Sequence, residues 1–518
     1  SHEKMVAEIA KRQLPEVTIS ISSDVAPVIG EYERTVTTLL NSALEPTVGR
    51  AIRRLSQELQ SKGIKTELLI MQSTGGVIPA ADVASKAVAL LNSGPVGGVI
   101  GSKFLGQTLG LENLICFDMG GTSLDVSLIT EGQYSTKLLS QIYDYYNICA
   151  ATPDIHTIGA GGGSIAWVEE GKRLKVGPRS AGANPGPACY GKGGEEPTVT
   201  DANVVLGHIN PDRFLGGELP LYREKALSSI SERAAKPLGF EPVTAASGIC
   251  DIVHANMADA IRLITIAKGY DPKDYVLLAF GGAGPTHAAF VARELGIGTI
   301  VVPGVATALS AFGIALCDIL HCLVFSDVTK LDQVEKINAH FEQLEEEGRN
   351  LLLKGGTTSD DIEILRYAEM RYRGQSHEVT IPIASAKIDQ PALQEVMHAF
   401  DQTYEKVYGK GTAFPEVGYE IVTFRVDAIG KIPKPLLREY EEGDTDSSGA
   451  MVGKRKVLLD SKSDFVETAI FDGQKLQMGN LISGPAVVEY SGTTAIILPG
   501  QVAEVDSYLN LIIRESEK

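Results

Sequence analysis

Residues 114–129 read Leu-Ile-Cys-Phe-Asp-Met-Gly-Gly-Thr-Ser-Leu-Asp-Val-Ser-Leu-Ile: two apolar runs joined through a carboxylate, two glycines and two hydroxyls. The second run alternates, with Asp125 and Ser127 facing opposite to Val126 and Leu128, the period of a half-buried strand. Gly120 and Gly121 permit positive φ and leave no side chain between the backbone and an incoming group. Successive N–H groups of such a turn form an anion nest, and Thr122 and Ser123 add hydroxyl donors. Asp118 repels a phosphate. A magnesium ion or an ordered water between them resolves that conflict, since magnesium takes carboxylate and phosphate oxygens together. An ordinary hairpin with a glycine turn is the competing reading of the same residues.

A chain of 518 residues has room for roughly three domains of about 150 residues each. Its composition, 44% hydrophobic and 22% charged, is that of a globular protein. The net charge, 47 basic against 65 acidic residues or −18, argues against a nucleic-acid or anionic-membrane surface. A nucleotide pocket in such a chain works through backbone dipoles and a metal rather than bulk positive charge. No apolar run reaches the roughly 20 residues of a membrane-spanning helix, and Ser-His-Glu-Lys-Met at the start lacks a secretory pattern. Six dispersed cysteines without a Cys-x-x-Cys pair point to free thiols in a reducing, cytoplasmic setting.

Working outward from the hairpin, the pattern predicts a helix over 2–12, a strand at Val17–Ile21, and helical character over 30–62 interrupted near Pro46. An apolar run, 68–72, ends at Ser73-Thr74-Gly75-Gly76, and Ser93-Gly94-Pro95 opens a helix reaching about Leu105. A third strand is expected around 133–141. The order of these elements predicts a mixed α/β sheet. Residues 154–207 are too rich in glycine for helix, and read either as an ordered insertion wrapping a site or as a flexible linker. Helix over 244–268, strand over 275–280, a glycine loop, helix to about Leu295 and strand over 299–303 form a β-loop-α-β unit. A charged amphipathic helix (331–354) follows, and after the acidic linker at 440–450 the tail reads as short strands with turns.

Gly281-Gly282-Ala283-Gly284-Pro285-Thr286-His287 follows a strand and opens a helix, yet fails as a dinucleotide fingerprint because His287 stands where Gly or Ala is required. What remains is a glycine platform at a helix N-terminus, against which a purine and sugar can lie. His287 either lines that platform or does not. His156, two residues after Asp154, is open to a general-base or metal role and to a structural one. Cys189 has no clear basic neighbour to make it a nucleophile.

Asp118-Met-Gly-Gly-Thr-Ser-Leu-Asp125, Asp154-Ile-His-Thr-Ile-Gly-Ala-Gly-Gly-Gly-Ser164 and Val176-Gly-Pro-Arg-Ser-Ala-Gly-Ala-Asn-Pro-Gly-Pro187 resemble the hydantoinase A/oxoprolinase family. So do Thr198-Val-Thr-Asp-Ala-Asn203, Phe280-Gly-Gly-Ala-Gly-Pro285, Arg371-Tyr-Arg-Gly-Gln375 and the tail around Gly484-Pro-Ala486 and Thr493-Thr494. The resemblance implies an ATPase core similar to actin, sugar kinases and the heat-shock chaperones. That core is an α/β lobe with a ribonuclease H-like mixed sheet over 1–325, followed by an α+β region over 326–440 and a C-terminal β-rich accessory domain over 441–518. It implies ATP and Mg2+ as cofactors. Gly120, Gly121, Thr122 and Ser123 become the phosphate hairpin, and Gly281, Gly282, Gly284, Pro285 and His287 the adenosine side. Asp118, Asp125 and His156 become the candidate catalytic side chains, with Asp118 also the metal ligand.

Relatives use ATP to open a cyclic amide such as 5-oxoproline, a hydantoin or a lactam, or to carboxylate a ketone such as acetone or acetophenone. Phosphorylating an inert amide or enolate oxygen makes it reactive, and the protein contributes positioning. One departure from the family is visible: no Asp-x-Gly-Gly-Thr motif precedes residue 30. The expectation is therefore a chain acting as part of an oligomer, with a further N-terminal lobe and a hydantoinase B-type subunit as partners. A ketone-carboxylase subunit and a non-catalytic nucleotide-binding module are the alternatives.

Overall fold

The computed structural model describes residues 2–142, 146–385 and 387–516, in two compact units, each assembled from three separated stretches. The unit carrying the hairpin comprises Gly97–Ser135, Pro153–Ala315 and the chain from Pro435 onward. Eight of its strands are β1 (Leu114–Met119), β2 (Leu124–Ile129), β3 (Ile155–Ile158), β4 (Val276–Phe280), β5 (Thr299–Val302), β6 (Leu481–Ser483), β7 (Gln501–Val505) and β8 (Leu511–Glu515). They form one sheet in the order β6-β7-β8-β5-β4-β1-β2-β3. β5, β4 and β1 run parallel, while β1–β2, β2–β3 and β8–β5 pair antiparallel. The sheet is therefore mixed, as the order of elements predicts. Its centre is apolar on both faces: Leu114, Ile115 and Phe117 of β1 and Leu277, Leu278 and Ala279 of β4 are wholly buried.

Helices α1 (Ser93–Leu109), α2 (Val199–Leu206), α3 (Pro242–Ile264), α4 (Gly284–Leu295) and α5 (Leu309–Ala315) carry the rest of this unit's argument. A capping box at Thr198 and Asp201 starts α2, and all eight of its residues are buried. Residues 154–207 are thus an integral layer of the fold, contributing edge strand β3 and α2, rather than a linker. The tail is β-rich as expected, and β6, β7 and β8 extend the core sheet through β8. A four-stranded sheet (Met451–Val457, Val466–Asp472, Ala486–Glu489, Thr494–Ile497) takes the remaining tail strands.

The second unit comprises the chain up to Val96, with Thr136–Thr152 and Leu316–Lys434. Strands Leu69–Met71, Val77–Pro79, Ile319–Lys330, Ile362–Tyr372, Val379–Ile383 and Tyr419–Gly430 form a six-stranded sheet. Helices Val334–Lys354 and Gln390–Tyr408 bury Phe341 and Phe400 in a core with Phe424 and Tyr372. Two expectations fail here. Val17–Ile21 forms no strand: Val17 is 49% exposed, and Ser20 is tied by a side-chain hydrogen bond to Glu45 rather than to a ladder. Pro46 does not interrupt its helix, which runs unbroken from Glu31 to Ser61. An interior proline costs about 3 kcal/mol; burial of Thr37, Asn41 and Gly49 on either side of it holds the helix together. Among the described residues no helix is long and apolar enough to cross a membrane.

In the hairpin unit α1 and α5 touch backbone to backbone, because a Cβ on Gly313 would lie 1.8 Å from the carbonyl oxygen of Gly97. Gly313→Ala should lower unfolding free energy by about 1–3 kcal/mol through overpacking. Gly94→Ala, where a Cβ meets nothing within 4 Å, should stay within about 0.5 kcal/mol of the parent. Urea denaturation of the two variants checks the pair.

Candidate nucleotide site

Register decides which side chains meet. Asp118 of β1 lies directly opposite Asp125 of β2, and Asp125 lies opposite Thr157 of β3. Cross-strand partners share a face, so both carboxylates and the Thr157 hydroxyl stand on one side of the sheet. His156 pairs with Val126 and stands on the other. The fold thus joins Asp118 with Asp125 and leaves His156 apart from them.

Two carboxylates directly opposite one another destabilise a sheet, and these are also largely withdrawn from water. Burial, reinforced by the charge of Asp125, pushes the Asp118 carboxyl up to about 6, against an opposing hydrogen bond from Ser310. Burial also raises Asp125, against hydrogen bonds from Thr157 and Ser123. Thr157 donates its hydroxyl to Asp125 Oδ1 at 2.5 Å, and Ser310 of α5 donates to Asp118 Oδ2 at 3.1 Å.

The turn between the strands is held from outside. Gly120 N–H donates to the Ser123 carbonyl at 3.1 Å; Gly162 and Gly163 donate to the carbonyls of Gly120 and Gly121 at 3.1 and 2.6 Å. The glycine-rich run packs closely here, since a Cβ on Gly161 would lie 2.5 Å from the Thr122 backbone. Contrary to expectation, neither Gly120 nor Gly121 adopts positive φ. Their contribution is space: a Cβ on either would meet nothing within 4 Å. Gly121 and Thr122 are exposed, and among the described residues their N–H groups have no protein acceptor. These two N–H groups are what the turn offers to an acceptor from outside the protein.

The second glycine loop lies against the first. Gly281 has φ +80°, and a Cβ there would fall 2.4 Å from the Met119 carbonyl oxygen and 2.6 Å from Asp118 Oδ1, so no other residue fits. Ala283 N–H donates to the Met119 carbonyl at 2.9 Å, fastening the loop to the end of β1. Gly282 is exposed, whereas Gly284, Pro285 and His287 are buried in the first turn and a half of α4. His287, 1% exposed, does not line the platform. Its Nε2 meets the Asn203 amide at 3.1 Å and its Nδ1 meets His254 Nε2 at 2.9 Å. Burial pushes the ring down to about 3, so it is neutral. It is a structural histidine. Cys189 is likewise wholly buried, with burial and the neighbouring Asp201 driving its thiol strongly upward; it is no nucleophile.

Four contributors escaped the sequence reading. Ser310 lies in no quoted motif, and Thr157 lies in the 154–164 run without being singled out there; their roles depend on helix packing and strand register. Segments 209–215 and 489–494 line a narrow cavity beside Gly282, where the buried Thr493 Oγ1 has no partner. Of these, Thr157, Thr493 and Thr494 fell within stretches the resemblance had marked. Among the described residues no group of three or more His, Cys, Asp or Glu is placed to hold a metal ion, so a cation at Asp118 would need oxygens from its ligand as well.

Residues 34–322 match the hydantoinase/oxoprolinase family and residues 324–516 its C-terminal domain. The alpha subunit of caprolactamase from Pseudomonas jessenii is 35% identical over 511 residues, covering 98% of this chain and 73% of that protein. The gamma subunit of acetophenone carboxylase from Aromatoleum aromaticum is 36% identical over 526 residues, covering 98% and 71%. The crystal structure of the ATP-dependent caprolactamase from Pseudomonas jessenii superimposes with a TM-score of 0.85 at 34% identity, covering 100% of this chain and 75% of that one.

The raised Asp118 carboxyl predicts a pH-dependent stability. An acid whose folded value, about 6, exceeds its ordinary 3.8 binds its proton more tightly when folded. That gain is present at low pH and disappears as pH rises through about 6. Asp118→Asn removes the penalty of the charged form. The variant should match the parent near pH 4 and exceed it by roughly 1–3 kcal/mol at pH 7.5, as read from melting curves across that range.

Proposed function

This chain belongs to the hydantoinase/oxoprolinase family, and we propose that it is the ATP-binding component of an enzyme that opens a cyclic amide, such as a hydantoin, 5-oxoproline or a related lactam. The observation that carries this reading is the meeting of two glycine turns around one carboxylate. The open backbone at Gly121 and Thr122 and the Gly281 loop both adjoin Asp118. A triphosphate fits the first as acceptor for free N–H groups, and the exposed backbone at Gly282 is the shelf against which a nucleoside would lie.

Mg2+ fits the same place, because Asp118 and Asp125 face each other with no cationic side chain among their hydrogen-bond partners. Asp118 would hold it, with Asp125 adding negative charge. When bound, ATP and the metal supply an electrophilic phosphoryl group that converts the amide oxygen into a leaving group. The chain's own contribution is placement. The turn N–H groups fix the phosphate tail, Gly281 lets its loop close against Asp118, and the Gly159–Gly163 run keeps the turn from relaxing.

The relatives named above are subunits, and a hydantoinase B-type partner would bring the substrate side. A reducing, cytoplasmic setting suits six free thiols. A second reading, ketone carboxylation, is favoured by the equally similar acetophenone carboxylase subunit. Assays of ATP cleavage in the assembled enzyme separate the two. Stimulation by hydantoins or lactams without bicarbonate supports the amidohydrolase; cleavage that requires a ketone together with bicarbonate overturns it.

Because a Cβ at Gly121 meets no protein atom within 4 Å, Gly121→Ala should keep the parental melting temperature yet weaken Mg-ATP binding at least tenfold, about 1.4 kcal/mol. Asp118→Asn should weaken it comparably while raising stability at neutral pH. Calorimetric titration with Mg-ATP checks both.

A further inference from the structure

Strand pairing fixes the Cα of Asp118, but not its carboxylate, which retains side-chain torsions and is pushed by the charge opposite. Ser310 supplies the missing restraint through its 3.1 Å hydrogen bond to Oδ2. The position of Ser310 is itself tightly determined. It is the second residue of α5, and that helix lies on α1 along a seam of glycines. A Cβ on Gly97 would fall 2.5 Å from the Ser310 carbonyl oxygen, and one on Gly98 would fall 3.1 Å from Ser310 Oγ and 2.8 Å from the Phe280 ring. The hydroxyl is thus set by backbone packing rather than by a mobile loop.

The surroundings make this hydroxyl count. α5 reads Leu-Ser-Ala-Phe-Gly-Ile-Ala, so it presents no charge to Asp118. From β4, Phe280 stands in register and Gly281 follows without a side chain. The titratable groups facing Asp118 are Asp125 from β2 and Cys116 from its own strand, whose thiol burial keeps protonated. The Ser310 hydroxyl is therefore the donor that holds Asp118 Oδ2 on this side.

We propose that Ser310 is a positioning residue of the nucleotide site, holding the Asp118 carboxylate in one orientation, as Thr157 holds that of Asp125. This rests on the nucleotide reading given above. The variants Ser310→Ala and Ser310→Thr test it in calorimetric titrations with ATP, with and without Mg2+. Ser310→Ala should lose affinity for Mg-ATP severalfold while binding metal-free ATP like the parent, and Ser310→Thr should restore the Mg-ATP affinity.

Parental Mg-ATP affinity in Ser310→Ala, or an equal loss for metal-free ATP, overturns the proposal and leaves Ser310 a packing residue. So does a threonine variant that behaves like the alanine one. Failure of the parental chain to bind Mg-ATP at all overturns the nucleotide reading instead, and with it any nucleotide role for the restraint.

Discussion

Two like charges held face to face on neighbouring strands are the constraint around which this unit is arranged. Asp118 and Asp125 are opposed by the register of one hairpin, and burial sharpens their repulsion. A fold selected only for stability would place an apolar or oppositely charged pair there. Retaining the pair makes sense where a cation and an anionic ligand complete the charge balance. The surrounding hydroxyls, Thr157 and Ser310, moderate the conflict without neutralising it.

The neighbouring glycines do two different jobs. At Gly281 the residue is forced by contact, since any side chain would collide with Asp118 and the Met119 carbonyl. At Gly120 and Gly121 nothing in the protein demands glycine; only something lying over the turn would. Residues that look equivalent in a motif thus divide into those that build the fold and those that leave room beside it. The glycine run at 159–163 belongs to the first group, because it presses on the turn and donates to its carbonyls. Its density of glycine reflects close backbone contact, not flexibility.

The buried histidines show how a motif misleads. His287 lies within the glycine-rich loop sequence, but the first turns of α4 rotate it away from the exposed Gly282 into contact with Asn203 and His254. Gly282 precedes the helix, whereas His287 is the fourth residue within it and falls on the buried side, so the interior claims it. His156 is separated from the carboxylates by the alternation of a strand, one step in register from Thr157. In both cases proximity in sequence was real, while the direction of the side chain was set by the element's period.

By itself the sequence determined the hairpin, the mixed sheet, the β-loop-α-β unit and the pairing of a carboxylate with glycine turns. These follow from local period and from residue types whose chemistry is the same in any surroundings. Tertiary structure alone decided that Gly281 abuts Asp118, that Ser310 and Thr157 clamp the carboxylates, and that the tail's strands join the core sheet. It likewise decided that Pro46 sits inside an unbroken helix, and that each compact unit draws on three distant stretches of chain. Such outcomes depend on contacts between residues far apart in sequence, where burial of whole faces outweighs the preference of any single position.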